Sequence, residues 1–129
     1  MDNLFLVSTA NSPLVLFEEE GKLLISGKVT PDTEDDFWTP IRKWLNCYTE
    51  NPAKQTVFHF QLECLNTSSS KEILQILYGL NELNERGYNA TVQWDFHNGD
   101  IDMLEVGRDY EHLVKVPFVF VSLSYNSLV

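Results

Sequence analysis

A chain of 129 residues is long enough to bury one core without disulfide or metal staples, and residues 1–129 are expected to form a single domain. Hydrophobic residues make up 43% and charged residues 22%, a balance that excludes wholesale disorder. With 9 Lys and Arg against 19 Asp and Glu, the formal net charge is -10. Such a field repels phosphate backbones and anionic lipid, so nucleic acid and membrane are not expected partners and a basic protein patch is.

In chain order, Leu4-Phe5-Leu6-Val7 reads as a short strand, and Leu14–Phe17 with Leu23–Ser26 as a hairpin around Glu18-Glu19-Glu20-Gly21. Thr30-Pro31-Asp32 has the cap, proline and acid of a helix start. Phe37, Ile41, Trp44, Leu45 and Tyr48 then recur at helical spacing, up to Asn51-Pro52. From Thr56 to Leu65 the pattern alternates, with Phe58, Phe60, Leu62 and Cys64 opposed by His59, Gln61 and Glu63. Ile73, Leu74, Ile76, Leu77, Leu80 and Leu83 form the stripe of a second helix, which Gly87 can terminate. Ala90, Val92, Trp94 and Phe96 mark another strand, a third helix follows from about Asp100 towards Tyr110, and Val116–Val121 closes as a strand. The order βββαβαβαβ predicts an α/β fold with a mixed sheet, in two layers with helices mainly on one face.

Cys47 and Cys64 are far apart in sequence and are expected as buried free thiols in a reducing compartment. No apolar run is long enough to span a bilayer, and Met1-Asp2-Asn3-Leu4-Phe5 lacks the basic opening of a secretion signal. A cytoplasmic location is therefore expected.

The run Leu65-Asn66-Thr67-Ser68-Ser69-Ser70-Lys71-Glu72 carries four consecutive hydroxyl side chains between a strand and a helix. A helix start presents unpaired N–H groups and a positive dipole end, where a phosphate is favoured. Ser69-Ser70-Lys71-Glu72 matches a capping box, with Ser69 as cap and Glu72 reaching back; Thr67 and Ser68 would then lie just outside the helix. A nucleophile would need a base and an orienting acid, and His59, His97 and His112 stand in no nucleophile motif. No glycine-rich phosphate loop is present. The four residues Asp95, His97, Asp100 and Asp102 are the best metal-like constellation, the basis of an alternative reading as a small metal-dependent hydrolase. Their spacing matches neither a calcium loop nor a zinc motif, and Asn98-Gly99-Asp100 is more simply a turn and helix cap. His59 and His112 are expected at the surface or rim. Trp38, Trp44 and Trp94 are core or interface by pattern, and an exposed Trp38 beside Phe37 would be a docking anchor.

Leu65-Asn66-Thr67-Ser68-Ser69 before an Ile/Leu-rich helix resembles the phosphorylation segment of the SiaC-type bacterial regulatory phosphoproteins. Ser12-Pro13, Leu24-Ile25-Ser26-Gly27, Trp94, the segment Asp100 to Gly107 and Lys115-Val116-Pro117-Phe118 extend the likeness in the same order. Departures are Cys64, where an aromatic residue is common, and Asp32, where Glu is usual. The resemblance implies a STAS-like fold and a non-enzymatic switch in cyclic di-GMP signalling that needs no cofactor. It implies that Thr67 is the phosphoacceptor, with Asn66, Ser68, Ser69 and Ser70 as the recognition loop. The implied partners are a cognate protein kinase, a PP2C-type phosphatase and an effector such as a diguanylate cyclase. A constitutive binding module, its serines serving only as caps, is the remaining alternative.

Overall fold

A computed structural model describes residues 2–31, 33 and 35–124. Its elements are β1 (Leu4–Leu6), β2 (Leu14–Phe17), β3 (Lys22–Val29), α1 (Asp35–Glu50), β4 (Gln55–Leu65), α2 (Thr67–Glu85), β5 (Asn89–His97), α3 (Ile101–Leu113) and β6 (Phe118–Leu123). The six strands form one sheet in the order β1-β2-β3-β4-β5-β6. β1, β2 and β3 pair antiparallel, whereas β3 through β6 run parallel, so the sheet is mixed.

Each parallel neighbour is reached through one helix, and right-handed crossovers between strands in sequential order place every helix on the same side. The packing agrees. Trp44 of α1 meets Phe17, Phe17 meets Phe58, and the chain of ring contacts continues through Phe60 and Trp94 to Tyr110 of α3. Ile73, Leu77, Leu80 and Leu83 of α2 are buried in the same core. The expected two-layer α/β architecture is the observed one.

Two glycines are dictated by geometry. Gly21 closes the β2–β3 hairpin at φ +108°, and a Cβ there would collide with the carbonyl of Gln55. At Gly107 of α3 a Cβ would lie 2.6 Å from the Trp94 ring and 2.8 Å from Phe120, so the missing side chain lets α3 sit directly on the sheet.

Several sequence expectations are corrected. The first helix starts at Asp35, not at Thr30-Pro31-Asp32: Thr33 donates its N–H to the Thr30 carbonyl and accepts from the Thr30 N–H at its hydroxyl, which makes a turn. Asp32 itself lies outside the described residues. The last strand begins at Phe118, with Val116-Pro117 leading into it. Both cysteines are exposed. Cys47 lies on the solvent side of α1. Cys64 leaves the inward series because the β3–β4 register shifts, pairing Gly27 with Leu62 but Lys28 with Cys64. Glu63 is the extra residue of that bulge, and beyond it inside and outside exchange. No helix among the described residues is long and apolar enough to cross a membrane.

Candidate functional site

The bulge sets where β4 ends and α2 begins. Asn66 accepts the first helical bond from the Ser70 N–H at 3.2 Å and donates its own N–H to the Val29 carbonyl at 3.1 Å, tying the junction to the neighbouring strand. Its extended backbone (φ -83°, ψ 159°) marks it as the N-cap residue. Thr67 is therefore the first residue of α2 and lies inside the helix, and Ser69 is not the cap.

The correction separates the four hydroxyls by role. Ser69 is 3% exposed and accepts the indole N–H of Trp38 at 3.3 Å. Ser68 accepts from the Asn66 side-chain amide at 2.6 Å. Ser70 donates to the Thr67 carbonyl at 2.6 Å. Thr67 is exposed, and its hydroxyl makes no hydrogen bond among the described residues. Glu72 does not reach back to a cap; it pairs with Arg42 of α1 at 2.5 Å. The first turn of α2 holds no acid, and Asn66 makes no side-chain bond to the helix N–H groups. The positive end of this helix dipole is thus left uncompensated by its own side chains.

Two struts hold the terminus from below. Trp38, 2% exposed, packs edge-on against Phe37 and braces Ser69 from α1, so it is a core residue and not an exposed anchor. Tyr110 of α3 donates its hydroxyl to the Ser70 carbonyl at 2.9 Å. Burial pushes the Tyr110 phenol up to about 12, against a smaller opposite pull from the Ser70 side chain, so it remains a donor at ordinary pH. Sequence reading missed Tyr110 and Arg42, whose partners lie on other elements. Trp38 had a legible signal: Trp38, Ile41, Leu45 and Tyr48 are spaced 3, 4 and 3 along α1.

The acidic segment forms no comparable centre. Asp95 is 2% exposed, with one carboxylate oxygen 2.5 Å from His59 Nε2 and accepting from Gln61 at 2.9 Å. Its other oxygen accepts from Gln93 at 3.1 Å. Ser26 in turn donates to Gln61 at 3.1 Å, so this polar cluster knits β3, β4 and β5 on the sheet face away from the helices. His59 belongs to that cluster and is half-buried, more enclosed than a surface position. His97 lies 3.9 Å from Glu63. Asp100 caps α3 by accepting the Met103 N–H at 3.1 Å, and Asp102 sits exposed in the first turn. His112 is exposed in the last turn of α3. Among the described residues no three His, Cys, Asp or Glu side chains converge as a metal site.

The chain is thus a two-layer α/β fold with an exposed threonine hydroxyl at the start of one helix. Residues 6–123 match the SiaC family of regulatory phosphoproteins, and the chain belongs to that family. SiaC of Pseudomonas aeruginosa superimposes with a TM-score of 0.86 at 20% identity, over 95% of this chain and 100% of that one. The same TM-score and identity are found for SiaC within the crystal structure of the diguanylate cyclase SiaD in complex with its activator SiaC, also from Pseudomonas aeruginosa, over 93% and 99% of the two chains. An uncharacterized protein of Pseudomonas aeruginosa is 21% identical over 119 residues, covering 92% of this chain and 94% of its own length.

Proposed function

We propose that the chain, a single regulatory domain over residues 1–129, is a non-enzymatic cytoplasmic switch whose state is set by phosphorylation of Thr67. A partner kinase adds the phosphate and a PP2C-type phosphatase removes it. Asn66, Ser68 and Ser70 surround the acceptor within the surface these enzymes engage, while Ser69, which belongs to the same run, is buried and holds the turn from within. The switch binds and regulates a downstream effector, a diguanylate cyclase by analogy with the SiaC that activates SiaD.

One observation carries this reading. Within the hydroxyl run, Thr67 alone is exposed with a hydroxyl that makes no hydrogen bond among the described residues, while Ser68, Ser69 and Ser70 are engaged. A kinase needs a hydroxyl that can leave the surface without breaking the fold. A phosphate there adds roughly -1.5 to -2 charge and strong acceptor oxygens. The first-turn N–H groups are the natural neighbours for that charge, and no carboxylate in the turn opposes it. The Trp38 and Tyr110 struts keep the turn seated, so the modification alters charge and shape at the surface while the core stays as it is.

Intact mass and peptide mapping after treatment with the cognate kinase test the acceptor: one phosphate on Thr67 is expected, and modification confined to other residues overturns it. Pull-downs from native cells with wild-type, Thr67→Ala and Thr67→Glu baits test the switch. A diguanylate cyclase identified by mass spectrometry should be retained differently by Thr67→Glu than by the other two.

A further inference from the structure

The sheet has two edges, and they are finished differently. β1 closes one side with three residues, too short a template for another strand. β6 closes the other with six residues, Phe118 to Leu123, and pairs only with β5 among the described residues. None of the devices that blunt an edge falls within β6. It holds no charged residue and no proline, and its register with β5 runs unbroken from Val92–Phe118 to His97–Leu123. From Val116 to Ser124 the chain carries no charge at all, although its net charge is -10.

The ladder fixes which backbone groups face outward. The Pro117 carbonyl accepts the Val92 N–H at 2.9 Å and the Leu123 carbonyl accepts the Asn98 N–H at 2.7 Å, so the odd-numbered residues of β6 serve β5. By the alternation of a parallel ladder, the N–H and C=O of Phe118, Phe120 and Ser122 point away from it. Apolar side chains border this edge on both faces. Val119 is 56% exposed on the face away from the helices, with Val121 two residues on along the same face. On the helix face Phe118 and Phe120 are only half-buried, and the Arg108 guanidinium lies 5.1 Å over the Phe120 ring. Ile101, two turns before Arg108 on the same stripe of α3, is exposed as well.

We infer that the outer edge of β6 is a self-association surface whose partner is β6 of a second copy of this chain, paired antiparallel about a two-fold axis at Phe120. In that register Phe120 faces Phe120 of the second copy and Phe118 faces Ser122. These are the residues whose outward N–H and C=O groups can exchange both hydrogen bonds. Val119 then opposes Val121 as a close β-branched pair on the other face. A slip by one residue would set outward groups against groups already used by β5, so the register is specified. Charge also favours a second copy. The stripe of α3 that carries Arg108 is acidic at its start, with Glu105, and net positive at its end, with Arg108, Glu111, His112 and then Lys115. The two-fold lays the acidic start of one copy against the basic end of the other. β4, which leads to Thr67, is two strands in from this edge, so the pairing leaves that site open.

The test uses the full chain alone. Sedimentation velocity over a concentration series should show a monomer–dimer equilibrium for wild type. Val119→Lys puts a charge at an exposed position of the edge, and Ser122→Pro removes an N–H that β5 does not use; a thermal melt checks that each folds. Both are expected to weaken dimerisation at least about tenfold, whereas Phe5→Lys, on the opposite edge strand, leaves it unchanged. Cross-linking reads the register. In a background where the exposed Cys47 and Cys64 are replaced by serine, oxidation of a mixture of Val119→Cys and Val121→Cys chains should join unlike chains, and neither variant alone should cross-link. A wild type that stays monomeric at every concentration overturns the proposal, as does a dimer that folded Val119→Lys or Ser122→Pro leaves intact. Cross-linking of Val119→Cys to itself overturns the two-fold at Phe120. A monomer that instead captures a strand of another protein at this edge overturns the second copy as its occupant.

Discussion

The starts of α2 and α3 are built from similar residues and do opposite things. At α3 the carboxylate of Asp100 accepts the Met103 N–H and Asp102 adds a second acid in the first turn. That terminus is electrostatically complete. At α2 the N-cap Asn66 spends its amide on Ser68, the first turn holds no acid, and an exposed threonine hydroxyl sits in place of a carboxylate. One end carries its negative charge permanently; the other has none, and the proposed phosphorylation of Thr67 would add it.

The sharpest break of this contrast is Thr67→Ala, which should abolish phosphate incorporation by the cognate kinase, read by intact mass. The same variant should leave stability within about 0.5 kcal/mol, because an exposed and unbonded hydroxyl contributes little. Next in size is Gly107→Ala, in the seat of α3. With Trp94 and Phe120 already closer than contact distance to the added methyl, it should destabilise by about 1–3 kcal/mol in urea unfolding, without affecting phosphorylation. Asp100→Ala should cost about 1 kcal/mol as a lost cap, whereas Asn66→Ala should cost less, since Asn66 caps no N–H. Equal costs at the two positions would erase the distinction between the ends.

The smallest effect tests how the two ends are joined. Tyr110, on α3, holds the first turn of α2 through the Ser70 carbonyl, and its pKa is raised from 10.0 to about 12. The folded state therefore keeps the phenol proton more tightly than the unfolded chain does. Its stabilising contribution is complete below pH 10 and is lost as pH rises towards 12. Tyr110→Phe should remove that part of the alkaline decline, seen as a flatter stability profile between pH 10 and 12 than in wild type.

Much of this molecule was legible without coordinates. All nine elements follow from apolar periodicity and turn residues, and the position of Thr67 from the strand–helix junction together with the family likeness. What failed did so at junctions. The capping-box pattern Ser69-Ser70-Lys71-Glu72 is real as a pattern, but Ser69 is drawn into the core by Trp38 and Glu72 outward by Arg42, both from α1. Cys64 was placed inside by strict alternation, which the bulge at Glu63 interrupts. Asp95 falls outside the alternating series Ala90, Val92, Trp94 and Phe96, and it is nonetheless almost fully buried, because Gln61, His59 and Gln93 close around it from two strands.

The sequence by itself determined the βββαβαβαβ order, the mixed sheet and the hydroxyl run at one helix start, since periodicity and turn chemistry act over a few residues at a time. Only the tertiary structure decided which of those hydroxyls is exposed and unbonded, and that Asp95 is a buried bracket between β4 and β5. Each of these depends on partners 30 or more residues away in the chain or on the absence of one, and no local pattern encodes them.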